Sequence, residues 1–76
     1  MGLSDFYRCY DCLLANWYAF SRPIQQEADQ VRHDLHLELA SWHPGKPGPQ
    51  WGAYSERMNA VFRANGLPEL FVASAC

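Results

Sequence analysis

Apolar residues recur along the first part of the chain at alternating spacings of three and four: Leu3, Phe6, Tyr10, Leu13, Trp17 and Phe20. A period near 3.6 places them on one face of an α-helix. Tyr7 and Leu14 widen that face on one side. Ser4 stands where an N-cap is wanted, with Asp5 in the first turn against the positive end of the helix dipole. Pro23 disfavours α geometry in the residue before it, so the spacing predicts a first helix over 4–22.

The same period returns in Ile24, Ala28, Val31, Leu35, Leu39 and Trp42. With Pro23 suited to a first turn and Ser21 or Arg22 as cap, it predicts a second helix over 23–42. The stretch "VRHDLHLELAS" also alternates with period two, which would line Val31, Leu35, Leu37 and Leu39 along a strand. The helix is preferred because its pattern starts at Ile24 and no second strand is available as a partner. Leu37 then falls on the polar side. "HPGKPGPQ", 43–50, holds three Pro and two Gly and reads as a loop. Trp51, Tyr54, Met58, Val61 and Phe62 mark a third helix over 52–65, ended by "ANGL". There Gly66 suits the left-handed position after the helix and Leu67 its accompanying hydrophobic contact. Pro68 can open a last short helix, "PELFVASA", over 68–75. The expected architecture is a single all-α domain, a small three-helix bundle with a short C-terminal fourth helix or turn.

Composition supports one core. The chain has 76 residues, near the lower end for independent folding, yet three Trp, four Tyr and four Phe supply large buried areas without metal or disulfide staples. Three cysteines is an odd number, so at least one has no partner within the chain. The N-terminus lacks a basic segment followed by an apolar stretch, and no apolar run nears the roughly 20 residues that span a bilayer. A reduced, cytoplasmic location without membrane contact is the expectation. Net charge is −2, with Arg8, Arg22, Arg32, Lys46, Arg57 and Arg63 scattered, so no basic stripe suits a nucleic-acid backbone.

Candidate chemistry changes this picture little. Cys9 and Cys12 have CxxC spacing and His33 and His36 HxxH spacing, which together could give zinc four ligands. Helical phase argues against it: Cys9 falls at the border of the first apolar face and Cys12 further toward the polar side, while His33 and His36 point away from Leu35 and Leu39. A thioredoxin-like use of the CxxC lacks the βαβ context. Asp29, His33 and His36, at i, i+4 and i+7, could hold a metal shared with a second subunit, but an exposed face of His and Asp is the simpler reading, and no metal or cofactor is expected. No Gly-rich phosphate loop and no GxSxG are present, and three short helices leave little room for a pocket, so the chain is not read as an enzyme. Ser55, Asn59 and Arg63 form a line on the third helix that could read base edges. Glu56 beside that line and an eight-residue loop in place of a tight turn speak against a helix-turn-helix.

Protein binding is the leading expectation. Tyr7, Leu14, Tyr18, Leu37, Trp42 and Trp51 lie outside or at the edges of the core faces and are the candidate interface, since aromatic side chains anchor interfaces most often. Ala53, Ala60 and Ala64 form a smooth strip on the third helix. The expected function is a small protein-binding module acting by steric occlusion, comparable in size alone to phage and mobile-element inhibitors of host machinery such as anti-CRISPR proteins. The alternative is a homodimeric regulatory domain that binds DNA or a metal ion.

Overall fold

The computed structural model describes residues 2–73. They form three α-helices, α1 (Leu3–Ala15), α2 (Arg22–Ala40) and α3 (Trp51–Ala64), with a 3-10 turn at Trp17–Ala19 between the first two. No strand occurs among the described residues, and the period-two stretch at 31–39 is helical. Leu37 accordingly projects to solvent while Val31 and Leu35 are buried.

The first helix is shorter than its apolar spacing predicts. It begins at Leu3 with Gly2 as N-cap, not at Ser4, and Phe6 N–H donates to the Gly2 carbonyl at 3.0 Å. It stops at Ala15 because Asn16 offers its backbone competing bonds. The Asn16 Nδ2 donates to the Cys12 carbonyl at 2.9 Å, and Ala19 N–H turns back to the Asn16 carbonyl at 2.9 Å. Gln25 Nε2 donates to the Trp17 carbonyl at 2.9 Å, which also accepts from Phe20 N–H at 3.2 Å. Trp17 and Phe20 still pack against the core, but from a turn.

In α2 the Ser21 carbonyl accepts from both Ile24 and Gln25, and Pro23 sits in the first turn, where its missing N–H costs nothing. The helix ends at Ala40. In the loop that follows, Lys46 N–H donates to the His43 carbonyl across Pro44 and Gly45, and Gly45 has φ +93°. These are the marks of a type II turn. The Trp42 indole N–H closes the loop by donating to the Lys46 carbonyl at 3.0 Å.

After α3 the chain makes a Schellman stop. Gly66 (φ +72°) donates to the Arg63 carbonyl and Leu67 to the Phe62 carbonyl, both at 3.0 Å. The helix expected over 68–75 is not formed in its described part: residues 68–73 are irregular, and 74–75 lie outside the described residues. The reason is a side chain that mimics a backbone partner. Asn59 Oδ1 accepts from Phe71 N–H at 2.9 Å and its Nδ2 donates to the Phe71 carbonyl at 3.1 Å. Helical bonding of the same groups would forfeit this pair and lift Phe71 from the core, where it is 2% exposed. Val72 is pulled over α1, its carbonyl 3.5 Å from Cys9 Sγ, and Arg8 donates to the Ala73 carbonyl.

The core is built from Phe6, Cys9, Tyr10 and Leu13 of α1, Ile24, Ala28, Val31 and Leu35 of α2, Met58 and Phe62 of α3, and Phe71. Phe6 is its aromatic centre, with ring centroids of Trp51 at 5.3 Å, Phe71 at 5.4 Å, Tyr7 at 5.7 Å and Tyr10 at 6.0 Å. α3 packs mainly along α2 and more lightly on α1, while α1 and α2 approach each other least. Arg57 of α3 ties two acids of α2, bonding Asp34 at 2.8 Å and Glu27 at 3.0 Å. One helical turn further along the same seam, the Tyr54 hydroxyl donates to Glu38 at 2.8 Å.

That last bond has an alkaline consequence. Burial, the bond to Glu38 and the negative charges of Glu38 and Asp34 push the Tyr54 phenol up to about 12, against about 10 for an unfolded tyrosine. A folded-state value above the unfolded one gives stability that is complete below the unfolded pKa and lost as pH rises through the folded one. Stability should therefore fall between about pH 10 and 12. Tyr54→Phe should flatten that fall and remove the last phenol to ionise in an absorbance titration. An unchanged titration curve would show that Tyr54 is not the perturbed group.

Candidate functional site

Because α1 and α2 diverge, their apolar faces are not fully closed on each other. Between them lies a groove of about 320 Å³. Tyr7, Tyr10 and Leu14 form one wall, Val31, Leu35 and Leu39 the other, and Phe6 contributes beneath. The helical period explains both walls. Residues 7, 10 and 14 share one stripe of α1, and 31, 35 and 39 share one of α2. α3 occupies the far side of α2, through Glu27, Asp34 and Glu38, so it cannot cover this side. Tyr7, Leu14 and Leu39 are consequently left 40–49% exposed. A chain of three short helices thus does open a sizeable depression, contrary to the expectation from length.

The polar groups of the groove are few and placed on opposite sides: Asp11 on α1, Arg32 and His36 on α2. At the floor, the Tyr10 hydroxyl donates to the Ala28 carbonyl at 2.8 Å, joining the walls. Burial raises the Tyr10 phenol, while the Arg32 charge nearby opposes that rise. The hydroxyl therefore stays protonated and its donor stays committed to α2.

The six expected interface residues do not form one surface. Tyr7 and Leu14 line the groove. Trp51 is half-buried with its ring 5.6 Å from Tyr7 and 5.3 Å from Phe6, so it props the Tyr7 wall from behind. Trp42 is exposed but spends its indole N–H on the loop. Leu37 lies on the outer side of α2, away from the groove, and Tyr18 stands on the 3-10 turn with 95% of its surface exposed. Leu39, assigned by periodicity to the core, is the wall residue the sequence reading missed. Leu3, 53% exposed, extends the Tyr7–Leu14 stripe by one turn beyond the groove lining. The signal was present in the width of the first apolar face, which exceeds what one neighbouring helix can cover.

The other candidate sites come apart. Cys9 is fully buried beneath Val72 and is a free thiol, whereas Cys12 is disulfide-bonded. The CxxC cysteines are thus neither a dithiol nor each other's partners, and Cys9 is an unpaired cysteine of the kind the odd count requires. His33 and His36 are exposed, and Asp29 is drawn toward Arg32 at 3.9 Å. Among the described residues, no group of three or more His, Cys, Asp and Glu side chains is placed to hold a metal ion. The supposed base-reading line on α3 is mostly interior: Ser55 is 4% and Asn59 5% exposed. Arg63 is ion-paired with Glu69 at 2.8 Å and with Glu56. Spacing puts Asn59 outside because the tail it bonds at Phe71 was assigned to a separate helix.

Fold and site together define a small all-helical protein with an apolar groove held open between its first two helices. No family model, curated protein or solved structure matches the chain. No helix among the described residues is long and apolar enough to cross a membrane.

Proposed function

We propose that the chain is a small, non-catalytic protein-binding module that acts by occlusion, laying the α1–α2 groove against a partner and masking the surface it covers. Inhibition of that partner is the activity that follows. The observation carrying this reading is the half-exposed row Tyr7, Leu14 and Leu39 around an apolar groove that no other described segment covers. Apolar rows of this kind, rimmed by a few polar groups, are typical of interaction sites.

The test is a binding measurement on a partner captured from the native host and then purified. Tyr7→Glu and Leu14→Glu should each weaken binding at least about tenfold, the loss expected for an interface anchor. Leu14 is exposed enough that thermal unfolding of its variant should change little; Tyr7→Glu also removes ring contacts with Phe6 and Trp51, so its binding is read well below its own melting temperature. The same substitution at Leu37 or Tyr18 should leave binding intact, because those residues stand away from the groove. Equal binding by all four variants, or the lack of any protein partner, would sink the reading.

A further inference from the structure

We propose that the occupant of the groove is a single amphipathic helix of the partner, seated with its acidic flank toward Arg32 of α2 and its basic flank toward Asp11 of α1. This rests on the protein-binding reading above and specifies its ligand.

Three observations select a helix. The wall from Tyr7 to Leu14 spans seven residues, about 10 Å or two turns at the helical rise, which matches a segment bearing apolar side chains at i, i+4 and i+7. The walls are the flanks of two α-helices whose backbone groups are already bonded within each helix. An extended peptide laid there would lose water from its own N–H and C=O groups and find no replacements. A helix brings its backbone bonds with it. Nor does a second copy of this chain present a matching ridge. Among the described residues, the exposed large apolar side chains outside the groove walls and their Leu3 extension are Tyr18, Leu37, Trp42 and Leu67, which stand on separate elements.

The charges fix the direction. Asp11 and Arg32 occupy opposite walls. The Arg32 side chain is 70% exposed, and its approach to Asp29, at 3.9 Å, is longer than a hydrogen bond; its guanidinium also lies against the Tyr10 hydroxyl, which keeps the charge at the groove. Among the described residues no ion pair engages Asp11. A helix with acids along one flank and bases along the other satisfies both walls in only one of its two axial directions. Reversing it would set like charges against each other.

The experiment uses a synthetic helical peptide with leucines at i, i+4 and i+7, glutamates along one flank, lysines along the other, and a nitroxide at its N-terminus. Its binding is followed by two-dimensional NMR of the labelled protein. Saturable shifts are expected at Tyr7, Leu14, Leu35 and Leu39, with nitroxide broadening at one end of the groove only. Leu14→Glu should weaken binding at least about tenfold. In the double variant Asp11→Lys with Arg32→Glu the peptide should still bind, but with broadening moved to the other end. Unchanged direction in that variant, or no saturable shift along the groove, overturns the proposal. So does concentration-dependent dimerisation that the peptide competes away, which would assign the groove to a second copy. A natural partner that stays bound to Leu14→Glu would leave the chain a binding protein while removing the helix from its groove.

Discussion

Replacing Asn59 with alanine is expected to lower the free energy of unfolding by about 2–6 kcal/mol, since it strands two buried backbone groups at about 1–3 kcal/mol each. The stranded groups are the N–H and C=O of Phe71, bonded at 2.9 and 3.1 Å to one carboxamide. No rotation of another described side chain replaces that arrangement, because it needs a donor and an acceptor side by side. Phe71→Ala should cost about 3–5 kcal/mol through the cavity it leaves. The two losses should not add. Once the Phe71 ring is gone, the tail has less reason to stay, and the carboxamide holds a segment that no longer fills the core. Denaturant titrations of both single variants and the double variant are expected to show a coupling of at least about 1 kcal/mol. If Asn59→Ala unfolds at the wild-type denaturant concentration, residues 68–73 are not an integral part of the core. Asn59→Asp is the sharper control: it keeps the acceptor for Phe71 N–H but sets a carboxylate against the Phe71 carbonyl, so it should not rescue stability.

Phe6→Ala should be at least as damaging, by about 3–5 kcal/mol, the range for a buried phenylalanine. Phe6 is 1% exposed, and the rings of Tyr7, Tyr10, Trp51, Tyr54 and Phe71 surround it at centroid distances of 5.3–6.4 Å. These rings come from α1, α3 and the tail, so they cannot collapse together onto an alanine. A chain of 76 residues is expected to have a total stability of about 4–11 kcal/mol, so this one change removes a large share of it. Melting should fall by roughly 15–30 °C, and the near-ultraviolet circular dichroism of the aromatic cluster should collapse with it. Phe6→Leu, which refills most of the volume, should recover much of the loss. A Phe6→Ala protein that melts within a few degrees of wild type would mean that the ring cluster is not the centre of the core. The same variant separates fold from function: it attacks the groove from beneath, whereas Leu14→Glu attacks only its surface.

The helices were legible because their information is local. In α2, Ile24, Ala28, Val31 and Leu35 recur at the helical period and are all buried, and a proline in the first turn marks the start. The stop of α3 needed only Gly66, the residue type that accepts φ +72° without strain. Asn16 was harder to read. Apolar spacing ran on through Trp17 and Phe20, and the bonds that break the helix come from the Asn16 side chain and from Gln25, neither of which has a periodic signature. The tail was misread for a related reason. "PELFVASA" is compatible with a helix locally, and only a partner twelve residues before Phe71, Asn59, holds residues 68–73 in an irregular path.

The candidate site was half legible. The excess width of the first apolar face marked Tyr7 and Leu14, and both are in the groove. Periodicity assigned Leu39 to the core, whereas it is exposed and forms the groove wall; Leu37, placed by the helical period on the polar side, is exposed there. The amino-acid sequence by itself determined that this chain is helical, where its apolar stripes run and how its third helix ends, since each depends on residues within a turn or two. Tertiary structure alone decided which parts of those stripes are closed. The spread of α1 from α2, with α3 held to the far side of α2 by Arg57 and Tyr54, leaves Tyr7, Leu14 and Leu39 half-exposed along the groove. Burial is a relation between elements, and a stripe on one helix carries no record of how far away the next one stands.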